Sequence, residues 1–247
     1  MNIFARLRSI EEYDKARAVK KIIKESTPDF DYYLMLILST LMATMGLLAG
    51  SETTVIGAML LAPLLAPTLG LALGISMSEH KLIARSFGTI VRSSLVAILA
   101  AVLATFLFAL SKFDGGALND TILARTQPTL LYFMIAAISG FAVAYASVRP
   151  DLSESLPGVA IAVALIPPLS VVGVGIGIGA LKLISGALLM YIINVAGIVF
   201  SAMLAYSLMD VHHKRFMAEK LVEKEKERLE QEKEELKEAA EKIKDKE

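Results

Sequence analysis

Hydrophobic and charged positions along this chain are segregated into long blocks instead of alternating every few residues. Six stretches carry no charged residue: 32–51, 53–78, 93–111, 126–148, 155–181 and 183–209. Each is close to or above the roughly 20 residues that a helix needs to cross a bilayer. Backbone groups in lipid must bond internally, and uninterrupted apolar stretches of this length are typical of helices, not of barrel strands. The pattern predicts an all-α polytopic membrane protein with six transmembrane helices.

Composition and charge support this prediction and add an orientation. Of the 247 residues 55% are hydrophobic, and the formal net charge is zero. If the N-terminus is inside, the inside segments hold 22 of the 25 Lys and Arg residues. The positive-inside rule then predicts a multi-pass protein of the cell (inner or plasma) membrane with both termini cytoplasmic. Cysteine is absent, which excludes disulfides and thiolate metal sites, and we expect no metal and no cofactor.

The same pattern divides the chain into five segments. Residues 1–29 form a cytoplasmic or interfacial amphipathic arm. Ser9 and Glu12 have a capping-box spacing, which predicts the start of a short helix that is either on the membrane surface or solvated. Residues 30–110 and 129–209 are transmembrane units joined by an extracytoplasmic loop, 111–128. Residues 210–247 form a charged cytoplasmic helix, with pairs such as Glu223–Lys226 and an apolar residue at every seventh position from Val222. This helix is either a solvated single helix or a weak coiled coil.

The two transmembrane units align without gaps when the chain is shifted by 101 residues against itself. The shift superposes the triplet Lys81-Leu82-Ile83 on Lys182-Leu183-Ile184, and Gly57, Pro67 and Gly74 on Gly158, Pro168 and Gly175. Three spans per unit is an odd number, so the second unit enters the membrane from the opposite side. This predicts two inverted-topology three-helix repeats, which are common in solute transporters, although a duplication can also be purely architectural.

Proline interrupts the middle span of each repeat, the second and the fifth spans of the chain. Proline removes a backbone donor and clashes with the carbonyl four residues earlier, so each span should bend or break. Carbonyls freed at matching depth in two repeats can coordinate an ion or polar solute. The candidate binding residues are these prolines, the residues whose carbonyls they free and a nearby hydroxyl: Met59, Pro63, Pro67, Val163, Ala164, Pro167, Pro168 and Ser170. The alternative is that the prolines only bend helices for packing.

Few other polar residues lie in the spans. Asn194, near the centre of the sixth span, is a further candidate for binding, or else forms an interhelical hydrogen bond. Arg92 lies about one turn inside the third span, and Glu52 and Glu154 lie at the mouths of the second and fifth spans. We interpret these three as gate or mouth residues, with snorkelling of Arg92 and helix capping by the acids as the alternatives.

Glycine alternates with apolar residues between Gly173 and Gly179 in the fifth span. On a helix this spacing favours close packing, and in an extended conformation it would line a pore. Close glycine packing and the heptad of the C-terminal helix together favour a homo-oligomer.

Motifs for catalysis are missing from the sequence. There is no GxSxG, HExxH, Walker or strand-linked GxGxxG motif, and the three histidines lie outside the predicted spans. We therefore assign no catalytic residue and expect that the protein is not an enzyme. The expected partners are the lipid bilayer and an unidentified small solute or ion, and not nucleic acid.

The stretch from Ile56 to Pro67, IGAMLLAPLLAP, resembles the signature of a prokaryotic membrane family known as domain of unknown function 389. The Pro-Pro pair of the fifth span is similar to that family as well. The resemblance covers roughly Phe30 to Met209, and where many relatives carry a soluble N-terminal domain this chain has a short arm. It implies a membrane fold and a bacterial or archaeal membrane, and it implies no particular activity.

The patterns lead to one functional hypothesis and one alternative. The hypothesis is a solute transporter or channel whose site lies where the two broken spans cross. The alternative is a non-transporting membrane scaffold or signalling subunit that acts through its cytoplasmic helix.

Overall fold

The protein is described by a computed structural model over residues 11–109, 119–149, 151–152, 165–211 and 215–244. Within these ranges the regular structure is helical. The α-helices, numbered in chain order, are α1 Glu12–Glu25, α2 Phe30–Leu48, α3 Glu52–Leu61, α4 Leu65–Met77, α5 His80–Ala109, α6 Asp120–Leu123, α7 Leu130–Val148, α8 Ile166–Gly177, α9 Leu181–Leu208 and α10 Arg215–Lys244. A 3-10 turn, Ala124–Thr126, follows α6.

Within the described ranges, four helices are long and apolar enough to cross a membrane: α2, α5, α7 and α9. The pair α3 and α4 is a fifth candidate span, bent by 54° at its break. Of the predicted fifth span, α8 lies within the described residues and 153–164 do not. Large apolar side chains such as Leu99 and Leu181 are 68% and 78% exposed, as expected for helices surrounded by lipid. The prediction of an all-helical membrane protein is confirmed at this level.

Small residues set the closest approaches between helices. A Cβ built on Gly173 of α8 would lie 2.3 Å from the Cβ of Ala101 in α5, and one built on Gly177 would lie 2.8 Å from Thr105 Cγ2. These residues are helical up to Gly177. The glycine-rich part of the fifth span is therefore a packed helix, and the extended alternative is wrong for these positions.

Equivalent turns in the two halves of the chain have equivalent hydrogen bonds. In the turn between α4 and α5, the Glu79 amide donates to the Gly74 carbonyl at 2.9 Å. In the turn between α8 and α9, 101 positions later, the Ala180 amide donates to the Gly175 carbonyl at 2.8 Å. The helices α4 and α8 also begin 101 positions apart. The residues that align in sequence therefore have the same local conformation at these turns.

The N-terminal arm packs against protein. Helix α1 contacts α4, α7 and α10. Its apolar face is fully covered, with four side chains buried there: Ala18, Val19, Ile22 and Ile23. This face is occupied by protein and not by lipid, and the location of the arm at the membrane interface or in the cytoplasm stays a prediction. Ser9 of the proposed capping box lies outside the described residues.

The C-terminal helix α10 also returns to the bundle. The exposure of its heptad positions increases along the helix, from buried Val222 to Leu236, which is 59% exposed. The Nζ of Lys81 in α5 lies 3.3 Å from Glu219 Oε1 and 4.0 Å from Glu223 Oε1. Glu223 therefore lies near α5, and Lys226 lies 3.8 Å from Glu230. Helix α10 is neither fully solvated nor free, and its self-association stays a prediction.

Candidate functional site

The second span breaks at Pro63, as its sequence predicts. Helix α3 ends at Leu61, and Ala62 adopts an extended conformation with φ −76° and ψ 122°. Proline disfavours the helical conformation in the residue before it, so Pro63 forces Ala62 out of the helix. The chain resumes as α4 at Leu65 after a bend of 54°. The sharp bend is thus a direct consequence of one proline.

Pro67 does not interrupt the helix, so only Pro63 produces the predicted break in this span. It lies in the first turn of α4, where a backbone amide has no helical partner to lose. The carbonyls expected to be free are also engaged. Met59 O accepts from the Ala62 amide and Pro63 O from the Ala66 amide, both at 3.4 Å. Hydrogen bonds of this length are weak, so both carbonyls keep most of their capacity to accept.

A cavity of about 650 Å³ lies beside this bend. Its apolar wall comes from the break, from α4 and from neighbouring helices: Ile22, Leu60, Ala62, Pro63, Leu65, Ala66, Leu69 and Val143. Its polar lining comes mainly from α1 and the segment that joins α1 to α2: Lys21, Lys24, Glu25, Thr27, Asp29, Tyr32 and Ser147. The cavity is therefore amphipathic, with charges at one end and aliphatic side chains along the bend.

The charged groups at this end are held in place by neighbouring elements. Asp29 caps α2, where its Oδ1 accepts from the Tyr32 amide at 2.9 Å, and its Oδ2 lies 3.8 Å from Arg228 Nη2 in α10. Lys21 Nζ lies 3.8 Å from Glu25 Oε1. Burial raises the pKa of the Glu25 carboxyl, while the positive charges of Lys21 and Lys24 act to lower it. Both carboxylates at the cavity thus already have basic neighbours.

Two hydroxyl pairs lie behind the cavity lining. The Tyr32 hydroxyl lies 2.9 Å from Ser93 Oγ in α5, and Ser147 Oγ of α7 lies 3.3 Å from the Tyr206 hydroxyl of α9. Tyr206 is fully buried. These pairs connect the cavity to the two longest apolar helices of the described chain.

The other candidate residues of the fifth span lie apart from this cavity. Helix α8 contacts α3, but among the described residues the cavity lining includes none from α8 or α9. Pro167 and Pro168 lie in the first turn of α8 and are buried. The Ser170 hydroxyl is fully buried and makes no hydrogen bond in the described structure. A buried hydroxyl without a partner costs about 1–3 kcal/mol, so this position favours a bound water or solute.

The remaining candidates are separated from one another. Asn194 is buried in α9. Arg92 is exposed on α5, and Glu52 is exposed in the first turn of α3, after the capping residue Ser51. Burial lowers the pKa of Arg125, and the carboxylate of Glu52 acts to raise it, so these two groups lie near each other at the start of α3.

Three of the candidates, Val163, Ala164 and Glu154, lie outside the described residues. The cavity also has lining residues that the sequence interpretation did not include. Lys21, Lys24 and Asp29 belong to the arm, and Val143 and Ser147 belong to the fourth span. The available signal was the dense cluster of charges just before the first span. Only the folding of α1 onto α4 and α7 brings that cluster to the proline break.

Comparison with known proteins identifies relatives. A family model described as "Domain of unknown function (DUF389)" matches residues 59–200. An uncharacterized protein of Methanocaldococcus jannaschii is 31% identical over 214 residues, which are 87% of this chain and 63% of the relative. The chain therefore spans less than two thirds of that relative's length. No solved structure matches the chain.

The family match includes the bend and the residues that follow it. Residues 59–200 contain the break at Pro63, the glycine-packed helix α8 and most of α9. The features that shape the helical bundle are thus within the matched region, whereas α1 and α10 lie outside it. The chain belongs to the family defined by domain of unknown function 389.

Proposed function

We propose that this protein is a transporter or channel for a small solute or ion, and that the cavity at the Pro63 bend is the entrance to its path. The cavity carries the proposal because it combines a broken membrane helix, the weakly bonded carbonyl of Pro63 and charged groups in one place. Broken helices at membrane depth typically line cavities or hold solutes, because lipid cannot satisfy an interrupted backbone. The proposal is for transport without catalysis.

The proposal includes two inverted three-helix repeats and six spans. It is supported by the equal hydrogen bonds of the α4–α5 and α8–α9 turns and by a reciprocal pattern of contacts. Helix α4 of the first half packs against α9 of the second, and α8 of the second half packs against α5 of the first. Such an exchange is expected when two repeats are related by a two-fold axis in the membrane plane. The orphaned Ser170 hydroxyl then supports a second polar position in the other repeat.

The proposed orientation places α1 and α10 in the cytoplasm of a prokaryotic cell. It rests on the excess of Lys and Arg in the segments at that end of the bundle. In this orientation the cavity opens to the cytoplasmic side.

Reconstitution in liposomes tests the proposal. The wild-type protein should conduct at least one member of a panel of ions and small solutes, and Ala66→Phe, which places a ring in the cavity beside the bend, should reduce that flux strongly. Ala84→Phe is the matched control, because Ala84 is exposed on α5 and should tolerate the same ring. If no flux is detected for the wild type and no solute raises its melting temperature, the proposal is wrong.

The alternative, a scaffold or signalling subunit, is favoured by one observation. Arg85 of α5 donates from Nη1 to the Val222 carbonyl of α10 at 3.0 Å and from Nη2 to Thr27 Oγ1, which lines the cavity. Helix α10 is thus connected to the cavity through one side chain. Deletion of residues 222–247 distinguishes the two functions: a transporter core should retain solute flux, whereas a scaffold should lose partner binding. Detection of a turnover product with the wild-type or the shortened protein would instead support an enzymatic function.

A further inference from the structure

The cavity at the Pro63 bend has a wall that is open to the membrane. Leu60 lines the cavity and is 50% exposed. Ile56, one turn earlier on α3, is 41% exposed and continues the same strip. An exposed aliphatic strip on a membrane helix faces acyl chains, so the cavity is continuous with the lipid-facing surface at Leu60.

In the proposed orientation, the charged end of the same cavity lies at the level of the lipid headgroups. Asp29 precedes the first residue of the α2 span, and Lys21 and Lys24 belong to the helix that ends a few residues earlier. Basic side chains at this depth extend toward the headgroup region while their aliphatic parts cover apolar surface. The cavity thus runs from the headgroup level into the bundle toward Leu69 and Val143.

The charges around this end have a positive surplus. Lys21, Lys24, Arg85 and Arg228 carry four positive charges, and Glu25, Asp29 and Glu225 carry three negative ones. Asp29 is already occupied by the α2 amide and by Arg228, and Glu25 by Lys21. Lys24 forms no ion pair within 4.0 Å among the described residues. Lys24 is therefore the group with capacity to bind an additional anion.

We infer that this cavity binds an anionic membrane lipid, with the head group at Lys24 and Lys21 and part of an acyl chain against Leu65 and Leu69. A basic pocket between helices near the cytoplasmic surface suits an anionic head group. A soluble anion would leave the aliphatic wall in contact with water, and a neutral lipid would leave the positive surplus at this end unmatched. The inference rests on the proposed orientation and names a ligand of the same cavity.

Tryptophan fluorescence provides a direct test because the chain contains no tryptophan. Leu65→Trp places a single reporter in the cavity, and Leu99→Trp places one on the lipid-facing side of α5 as a reference. Each variant is reconstituted in phosphatidylcholine bilayers that contain either brominated phosphatidylglycerol or brominated phosphatidylcholine as the quencher. Ala66→Trp serves as a second cavity reporter if Leu65→Trp does not fold.

The expected result is a preference at the cavity and none at the reference. One lysine near the surface adds attraction equivalent to about a fivefold preference, so the anionic quencher should bind near the Leu65→Trp reporter about fivefold more tightly. At the Leu99→Trp reporter the two quenchers should be equal. Adding Lys24→Gln should abolish most of the preference, whereas Lys20→Gln should not, because Lys20 is exposed on α1 outside the cavity.

Several outcomes would overturn the inference. Equal quenching at Leu65→Trp, or no quenching in a folded protein, would mean that no anionic lipid enters the cavity. An equal effect of Lys20→Gln and Lys24→Gln would indicate general attraction to the surface of α1. Loss of the preference on adding inorganic phosphate would assign the position to a soluble anion. Flux without lipid preference would leave the proposed transport intact, and lipid preference without flux would leave this inference intact.

Discussion

The two halves of the apolar region have matching turns and differ in what surrounds those turns. The α4–α5 and α8–α9 turns have the same hydrogen bonds. A Cβ built on Gly74 would lie 3.0 Å from Ile83 Cγ1, and one built on Gly175 would lie 2.9 Å from Ile184 Cγ1. Around the start of α4, however, the first half adds α1 and an amphipathic cavity. At the start of α8, the second half has buried prolines and an orphaned hydroxyl.

The difference shows that the common scaffold and the specific chemistry have separate origins. Apart from Lys81 and Lys182, the aligned positions are glycine, proline and apolar residues, and the glycines determine how closely helices approach. The charged groups of the cavity come from the arm, which has no aligned counterpart of similar composition in the second half. Two turns with the same hydrogen bonds therefore lie in two different environments.

The strongest test of this comparison is a pair of glycine substitutions in the two halves. Gly173→Ala should destabilise the protein by about 1–3 kcal/mol, because the new Cβ would lie 2.3 Å from the Ala101 Cβ and 3.0 Å from its backbone. Gly88→Ala in α5 meets nothing within 4 Å and should stabilise by up to about 1 kcal/mol through helix propensity. Unfolding in mixed detergent micelles measures both. Equal effects would contradict close packing at the α5–α8 contact.

A smaller effect is expected at the equivalent turns. Ser78 and Gly179, 101 positions apart, both have positive φ values of 54° and 72°. Ser78→Gly should stabilise by up to about 1 kcal/mol by relieving a left-handed conformation, and Gly179→Ala should destabilise by about 1 kcal/mol. No atom lies within 4 Å of a Cβ built on Gly179, so this change reports backbone strain alone. Opposite signs in the same unfolding assay are expected, and a neutral Gly179→Ala would mean that the two turns differ.

The smallest effect is a pH dependence confined to the first half. Burial raises the folded-state pKa of Glu25 above its ordinary value of 4.5, so ionisation of this carboxyl destabilises the folded protein above the raised pKa. This cost disappears as the pH falls through that pKa and below 4.5. The side chain is about half exposed, so the effect is small.

The measurement compares the melting temperature of Glu25→Gln with that of the wild type. The variant should be the more stable protein near neutral pH, and the difference should vanish below about pH 4. Glu234→Gln, at an exposed position of α10, is the control. The aligned position in the second half is Thr126, which does not titrate. A difference that grows on acidification would reverse the assigned sign.

Much of the fold followed from the sequence because membrane helices are specified by local properties. The uncharged stretches predicted α2, α5, α7 and α9, and Pro63 predicted the bend of 54°. Pro67 was misinterpreted because a proline breaks a helix only when it lies beyond the first turn. Pro67 lies in the first turn because α4 begins at Leu65, after the break at Ala62 and Pro63. The sequence pattern did not predict that starting residue.

The candidate site followed from the sequence only in part. Pro63 lines the cavity, whereas Ser170 and Asn194 are buried elsewhere. Lys24 and Asp29 were missed because hydrophobicity and helix periodicity do not indicate which distant helix an arm will contact. The sequence likewise did not indicate which residues α10 contacts, because its charges suit water as well as they suit the partners Lys81 and Asp29.

By itself, the sequence determined the class of protein, its lipid-facing helices and its family, because transfer of a segment into lipid depends on that segment's own residues. The packing of α1 over the Pro63 bend was decided only by tertiary structure. That contact, and the cavity it encloses, depends on complementary shapes and charges from parts of the chain that no local pattern connects.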